Sequence, residues 1–292
     1  MKKPIVIAVL CHKGGVAKTT STTSLADALV RRNPKARVLI LDCDEQSNIK
    51  TIFAVKLHEA EGGVGAILRD NSDPAKVCVR VRPSIDVILS GGRLMHMFEK
   101  NHANTPDAEF ILKRRMESVA GDYDFILIDS PPALSLISSN IAMYADYCVI
   151  PFAPDLLSIV GVRGTLFFLE NVEKASKSKV CKVLGVLPTL YDQRRSVDQT
   201  ILDDAQRLAN ADLLRGGIVF DPIRTDTKVK TAQVKRKLLS EAFPASKAAA
   251  DYQKFCDDLL ARIEFLEKQD VQPSKIAKAH KPVRTAKAEA RL

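Results

Sequence analysis

The tightest constraint on this chain lies near its start. Ile5-Val6-Ile7-Ala8-Val9-Leu10 is continuously apolar and rich in β-branched residues, the composition of a strand buried on both faces of a parallel sheet. His12-Lys13-Gly14-Gly15-Val16-Ala17-Lys18-Thr19-Thr20 follows at once, and from Thr19 to Arg31 the residues Leu25, Ala28 and Leu29 fall on one helical face. Strand, glycine turn and helix start in that order aim free backbone N–H groups and the positive end of a helix at one point, which suits an anion. The stretch reads as a phosphate cradle, with Lys18 placed to reach β- and γ-phosphates and the Thr19 hydroxyl placed to bind Mg²⁺. A chain that opens this way predicts an α/β fold, a mostly parallel twisted sheet with helices on both faces.

The loop departs from the common pattern G-x-x-x-x-G-K-[ST], because His12 and Ala17 stand where its glycines belong. What fits is a variant with a second lysine before a glycine pair, K-G-G-x-x-K-T, from Lys13 to Thr19. Ala17 is harmless there if its φ is negative and damaging if it is positive, since a Cβ is penalised only in the second case. Two further apolar runs end in carboxylates. Arg37-Val38-Leu39-Ile40-Leu41 leads into Asp42-Cys43-Asp44-Glu45-Gln46-Ser47-Asn48, and Phe125-Ile126-Leu127-Ile128 into Asp129-Ser130-Pro131-Pro132. Carboxylates at the C-terminal ends of parallel strands face a ligand crevice. The alternative for Asp42 and Asp44 is that they only end a strand and cap a helix.

Read together, K-G-G-x-x-K-T, D-x-D-x-Q-x-N and the Y-D-x-I-x-I-D-x-P-P of Tyr123 to Pro132 resemble the ParA/MinD family of P-loop ATPases. Glu45 stands where that family has proline. The resemblance implies a P-loop, Rossmann-like fold, ATP and Mg²⁺ as cofactors, and a homodimer formed on ATP binding. In that dimer Lys13 reaches the partner's phosphates, much as an arginine finger supplied in trans would. Lys13, Gly14, Gly15, Val16, Ala17, Lys18, Thr19 and Thr20 carry over as the nucleotide loop. Asp44 carries over as the residue that positions or activates the attacking water, and Thr19, Asp42 and Asp129 as the metal side. Pro188 and Thr189 correspond to the adenine side, and Asp155 and Gly161 to Arg163 to the dimer face. Arg224, Lys228 and Lys230 correspond to basic residues that bind DNA nonspecifically; Lys235 and Arg236 extend that stretch without a family counterpart.

Charge and composition bound the rest. With 292 residues and 46% hydrophobic content the chain can bury one large core, and the expected layout is one ATPase domain over 1–268 with a basic, disordered tail over 269–292. From Arg224 onward 16 Lys and Arg stand against 9 Asp and Glu, which suits nucleic acid, an acidic membrane surface or merely a solvated tail. Six cysteines occur singly, so free buried thiols are expected and the iron–sulfur branches of the superfamily are disfavoured. His58, His96 and His102 lack metal-ligand spacing. The apolar run at the start is too short to cross a bilayer and leads to no cleavage site, so a cytoplasmic location is expected. The chain begins at its first strand, and no operator-binding domain is expected before it.

The leading functional expectation is a partition ATPase, nucleoid-associated, released from DNA when a small centromere-binding or activator protein stimulates hydrolysis. The alternative is a MinD-like membrane-associated positioning ATPase. In the tail, however, Val271, Ile276, Val283 and Leu292 are interrupted by Pro273 and Pro282, and a membrane partner is not expected. A metabolic enzyme of the same class has no support beyond the nucleotide loop. Strands are expected at 85–89, 145–152, 180–187 and 218–220. Helices are expected at 106–119, 196–208 (capped near Ser196) and 246–267, and 156–172 reads as a loop leading into a long helix. Residues 52–104 otherwise show only short helical pieces.

Overall fold

The computed structural model describes residues 3–55 and 62–271; His58 and the tail from 272 lie outside the described residues. The strands are β1 (Ile5–Val9), β2 (Val38–Asp42), β3 (Val79–Arg82), β4 (Ile85–Ile88), β5 (Phe125–Asp129), β6 (Tyr147–Phe152), β7 (Lys182–Pro188) and β8 (Ile218–Val219). Among the described residues they form one eight-stranded sheet in the order β3-β4-β2-β5-β1-β6-β7-β8. All neighbours pair in parallel except β3, which runs antiparallel to β4 along the edge. The mostly parallel sheet is thus as the sequence predicts. β1 lies between β5 and β6, so its C-terminal end opens centrally among loops from several crossovers.

Alternation along the strands builds two cores. Val6, Ala8, Leu39, Leu41, Ile126 and Ile128 face α3 (Gly63–Asp70), α4 (Arg93–His102), α5 (Ile111–Ala120), α6 (Leu136–Tyr144), α7 (Leu156–Ser176) and α8 (Ser196–Asn210). Ile7, Val38, Ile40 and Leu127 face α1 (Lys18–Arg32), α2 (Asn48–Phe53), α9 (Lys228–Val234), α10 (Leu239–Ala242) and α11 (Lys247–Val271). Both faces of the central strands are covered, which is why their sequences read as unbroken apolar runs.

Three local expectations are corrected. α8 does begin at Ser196, but Arg195 occupies the capping position and no side chain caps the helix there. The segment from Leu156 is helical from its first residue and holds no loop of its own, because Asp155 caps α7 by accepting from the Ser158 backbone N–H at 2.9 Å. The last helix runs to Val271, four residues past its expected end at 267. Of the six cysteines five are buried and Cys78 is half-buried; all are free.

Candidate functional site

The loop after β1 closes over the C-terminal ends of β1, β2 and β5. Gly15 takes a φ of +76°, a conformation in which a side chain would be strained. Ala17, the residue preceding α1, takes φ 58° and ψ 32°, the damaging case for an alanine in this loop. α7 makes room for the loop: a Cβ on Gly161 would stand 3.2 Å from the Lys13 Cβ. His12, in place of the first glycine of the common pattern, ties the loop to two neighbours. Its backbone N–H donates to Thr165 Oγ1 at 2.9 Å, and its Nδ1 lies 3.1 Å from the Pro132 carbonyl. The sequence singled out His12 only as a missing glycine.

The two lysines of the loop point to different places. Lys18 is buried and donates to the Lys13 carbonyl at 2.8 Å, across the concavity of its own loop. Burial holds its pKa below the usual lysine value, against the attraction of Cys11, Asp129 and Asp44. Lys13 turns away from that concavity. Its ammonium lies 2.5 Å from Asp155 Oδ1 and 3.0 Å from Ser158 Oγ at the start of α7. Burial pushes the Asp155 carboxyl up, but the bonds from Lys13 and Ser158 outweigh it and leave the group below its ordinary value.

Asp42 and Asp129 stand opposite each other as register partners of β2 and β5, both essentially inaccessible to solvent. Thr19 Oγ1 donates to Asp129 Oδ2 at 2.6 Å, and Thr22 Oγ1 to Asp129 Oδ1 at 3.4 Å. Ser47 Oγ donates to Asp42 Oδ2 at 2.8 Å. Burial pushes the Asp129 carboxyl up to about 7, opposed by its bond from Thr19 and by Lys18. Burial and the facing Asp129 raise Asp42 well above the carboxylate range. Two desolvated carboxylates beside a threonine hydroxyl form an oxygen-only donor set short of positive charge, which fits a hard divalent cation that keeps further ligands from water and phosphate. Among the described residues no group of three or more His, Cys, Asp and Glu offers a complete protein cage.

Two cavities flank the loop. One, of about 370 Å³, is lined by Gly14, Gly15, Lys18, Thr19, Asp44 and Pro132 among others. The other, of about 420 Å³, is lined by Thr189, Leu190, Ile223, Val229 and Tyr252 among others and is mostly apolar. Thr189 reaches this second cavity, yet its hydroxyl is spent on the Val16 and Phe152 carbonyls at 3.2 and 3.1 Å, bracing the loop from behind. Pro188 ends β7 and is not among the residues lining the cavity. Leu190, Ile223, Val229 and Tyr252 supply the apolar surface there, and no motif marked them.

The basic stretch is divided. Arg224, expected as a free DNA contact, is turned inward: its guanidinium grips Asp251 of α11, with Nη2 to Oδ1 at 2.7 Å. The half-buried aspartate takes the arginine as its counter-ion. Lys228 and Lys230 are exposed on α9, and Lys235 and Arg236 are exposed just beyond it. Lys235 lies over the Phe243 ring at 4.9 Å from its centroid.

A lysine cradle at the end of β1, a carboxylate at the end of β5 beside the helix-start threonine, and a sheet order of 2-5-1-6 around them define a P-loop nucleoside-triphosphatase fold. A family model described as an AAA domain matches residues 4–182, and the sporulation initiation inhibitor protein Soj of Bacillus subtilis is 30% identical over 203 residues, 69% of this chain and 79% of that protein. The chain belongs to the ParA/Soj family of partition ATPases. The chromosome-partitioning ATPase Soj of Thermus thermophilus is 28% identical over 258 residues, covering 88% of this chain and 96% of that one. Among solved structures, cobyrinic acid a,c-diamide synthase from Mycobacterium smegmatis, with bound ATP analogue and magnesium, superposes with a TM-score of 0.74 at 27% identity, covering 89% of this chain and 96% of that one. A plasmid partition protein from Borrelia burgdorferi bound to AMPPNP superposes at 0.70 and 22% identity over 91% of this chain and 100% of that one, a likeness of fold.

Proposed function

We propose that this chain is an ATP-hydrolysing partition switch: it binds ATP with Mg²⁺, closes into a homodimer around two nucleotides, and in that state binds DNA without sequence preference. The observation that carries the reading is the division of labour between the loop lysines. Lys18 stays inside its own cradle, whereas Lys13 is turned away from it and held by Asp155 and Ser158, a position from which it would reach a second subunit.

Within the site, the loop backbone from Gly14 to Thr20 and the Lys18 ammonium would bind and orient the phosphates. Thr19, Asp129 and Asp42 would hold Mg²⁺, which when bound would neutralise charge on the β- and γ-phosphate oxygens. Asp44 lines the phosphate-side cavity and would orient the attacking water and accept its proton. Lys13, released from Asp155, would stabilise charge on the partner's phosphates. Lys228, Lys230, Lys235 and Arg236 would meet DNA phosphates, whereas Arg224 would support that surface through Asp251 and α11. A small activator protein would accelerate hydrolysis and end the DNA-bound state, in the cytoplasm at the nucleoid. Among the described residues no helix is long and apolar enough to cross a membrane.

Asp44→Ala tests the reading. With saturating ATP and Mg²⁺ it is expected to accumulate as a dimer by light scattering and to retain duplex DNA in a gel shift. A monomer under those conditions, or sedimentation with anionic liposomes in preference to DNA, would count against it.

A further inference from the structure

α9 reaches the nucleotide loop through a hydrogen bond from Gln233. Gln233 Nε2 donates to Thr20 Oγ1 at 3.3 Å. Gln233 also lines both cavities, whereas Val229 and Lys230 of the same helix line only the apolar one. Gly15, Ala17 and Thr20 are the loop residues common to the two. The Gln233–Thr20 bond therefore forms part of the wall between the phosphate side and the base side, and a nucleotide occupying both must pass it. A carboxamide has two N–H donors and an acceptor oxygen, so its capacity exceeds the bond to Thr20 and suits a ribose hydroxyl or an α-phosphate oxygen.

The rest of α9 is lightly anchored. Ala232 is its fully buried residue, Val229 packs half-buried against the core, Val234 is 83% exposed, and Lys228 and Lys230 are exposed. The helix also packs on α2, which follows the Asp42–Ser47 loop directly. A seven-residue helix with one fully and one half-buried apolar side chain lies toward the low-stability end of a fold, where a single added contact shifts its position or order.

We infer that Gln233 is a positioning residue through which a nucleotide bridging the two cavities fixes α9, and with it the presentation of Lys228, Lys230, Lys235 and Arg236 to a polyanion. The polyanion half of this inference rests on the function proposed above; the fixing of α9 rests on the geometry of Gln233.

Gln233→Met keeps the length and most of the volume of the side chain and removes its hydrogen bonding. Trypsin reads the state of α9, since Lys228, Lys230, Lys235, Arg236 and Lys237 are exposed. At AMPPNP and Mg²⁺ concentrations saturating for each protein, cleavage within residues 228–237 is expected to slow about fivefold in the wild type and not at all in Gln233→Met. Gln233→Asn, which keeps the amide on a shorter arm, is expected to show intermediate protection and carries the comparison if the methionine variant does not fold. Equal protection in wild type and variants, or no protection of the wild type, overturns the inference. A second readout is the factor by which AMPPNP tightens duplex DNA binding. By linkage the same factor describes how DNA tightens nucleotide binding, and it is expected to fall at least about fivefold in Gln233→Met from both directions. A wild type that is protected yet binds no DNA refutes the partition reading and leaves the role of Gln233 standing. A DNA coupling factor unchanged by Gln233→Met refutes that role alone.

Discussion

Two buried carboxylate sites lie toward opposite ends of the same sheet and are built in opposite ways. Near the amino ends of the strands, Asp86 of β4 takes Arg80 Nε at 2.6 Å and the Tyr123 hydroxyl at 2.9 Å, with Arg37 Nη2 at 3.6 Å. Its charge is met by two guanidinium groups. At the carboxyl ends, Asp42 and Asp129 face each other with hydroxyl partners and the nearby Lys18, whose ammonium is engaged with a carbonyl of its own loop. The comparison teaches where the fold compensates buried charge and where it leaves the deficit to a ligand. Desolvating a carboxylate is costly unless a cation accompanies it, so an undercompensated pair marks a place where positive charge arrives from outside. The Asp86 cluster, chemically just as rich, carries no such deficit and reads as structural.

The comparison breaks first at Lys18, the cation of the functional end. Lys18→Ala is expected to weaken ATP binding about a thousandfold, roughly 4 kcal/mol, by isothermal titration. Undiminished affinity would remove the cradle assignment altogether. The structural end is tested by Asp86→Asn, which leaves Arg80 and Arg37 without their counter-charge. Arg80 is 59% exposed and partly screened, so the expected loss of unfolding free energy is about 2–3 kcal/mol in urea, with ATP affinity unchanged within about twofold. The same chemical change at the other end has the opposite sign. In EDTA, Asp129→Asn is expected to gain about 1 kcal/mol, because it removes one of two facing desolvated carboxylates, and to lose the stabilisation that Mg²⁺ with nucleotide gives the wild type. A loss equal to that of Asp86→Asn would show that the two sites do not differ in kind.

The same contrast governs what could be read from the sequence. The central strands were legible because burial on both faces leaves runs such as Phe125 to Ile128 with no polar interruption, and the carboxylate that ends each run is conspicuous. β3, Val79-Arg80-Val81-Arg82, was missed because a short alternating edge strand looks like a solvated loop. α4 was missed because it starts after Gly92 with no capping side chain, and α6 because it is buried too evenly to show an amphipathic stripe. Of the residues placed in the proposed site, Lys13, Lys18 and Thr19 stand out by spacing within one segment, and Asp42, Asp44 and Asp129 by their positions at or just beyond strand ends. Pairings across long separations left no trace: Lys13 with Asp155, Arg224 with Asp251, Thr20 with Gln233. Arg224 shows the cost of this, since a basic residue in a basic stretch looks free until its counter-ion, supplied by the last helix, is seen.

The smallest expected effect is at Ala17, and its sign is the informative part. The residue holds φ 58° at the start of α1, and its carbonyl accepts from the Ser21 N–H at 2.8 Å, so the helix depends on this conformation. A Cβ in the left-handed region costs about 1–2 kcal/mol, whereas glycine gives back about 0.4–1 kcal/mol through the greater freedom of its unfolded chain. Ala17→Gly is therefore expected to raise stability by about 0.5–1 kcal/mol, seen as a higher urea midpoint at unchanged slope. A lower midpoint would mean that the Ala17 methyl, which lines both cavities, contributes more by packing than its conformation costs. Alanine would then be a working part of the cradle wall, and the strain at this position would belong with the undercompensated carboxylates: local cost kept where the ligand is held.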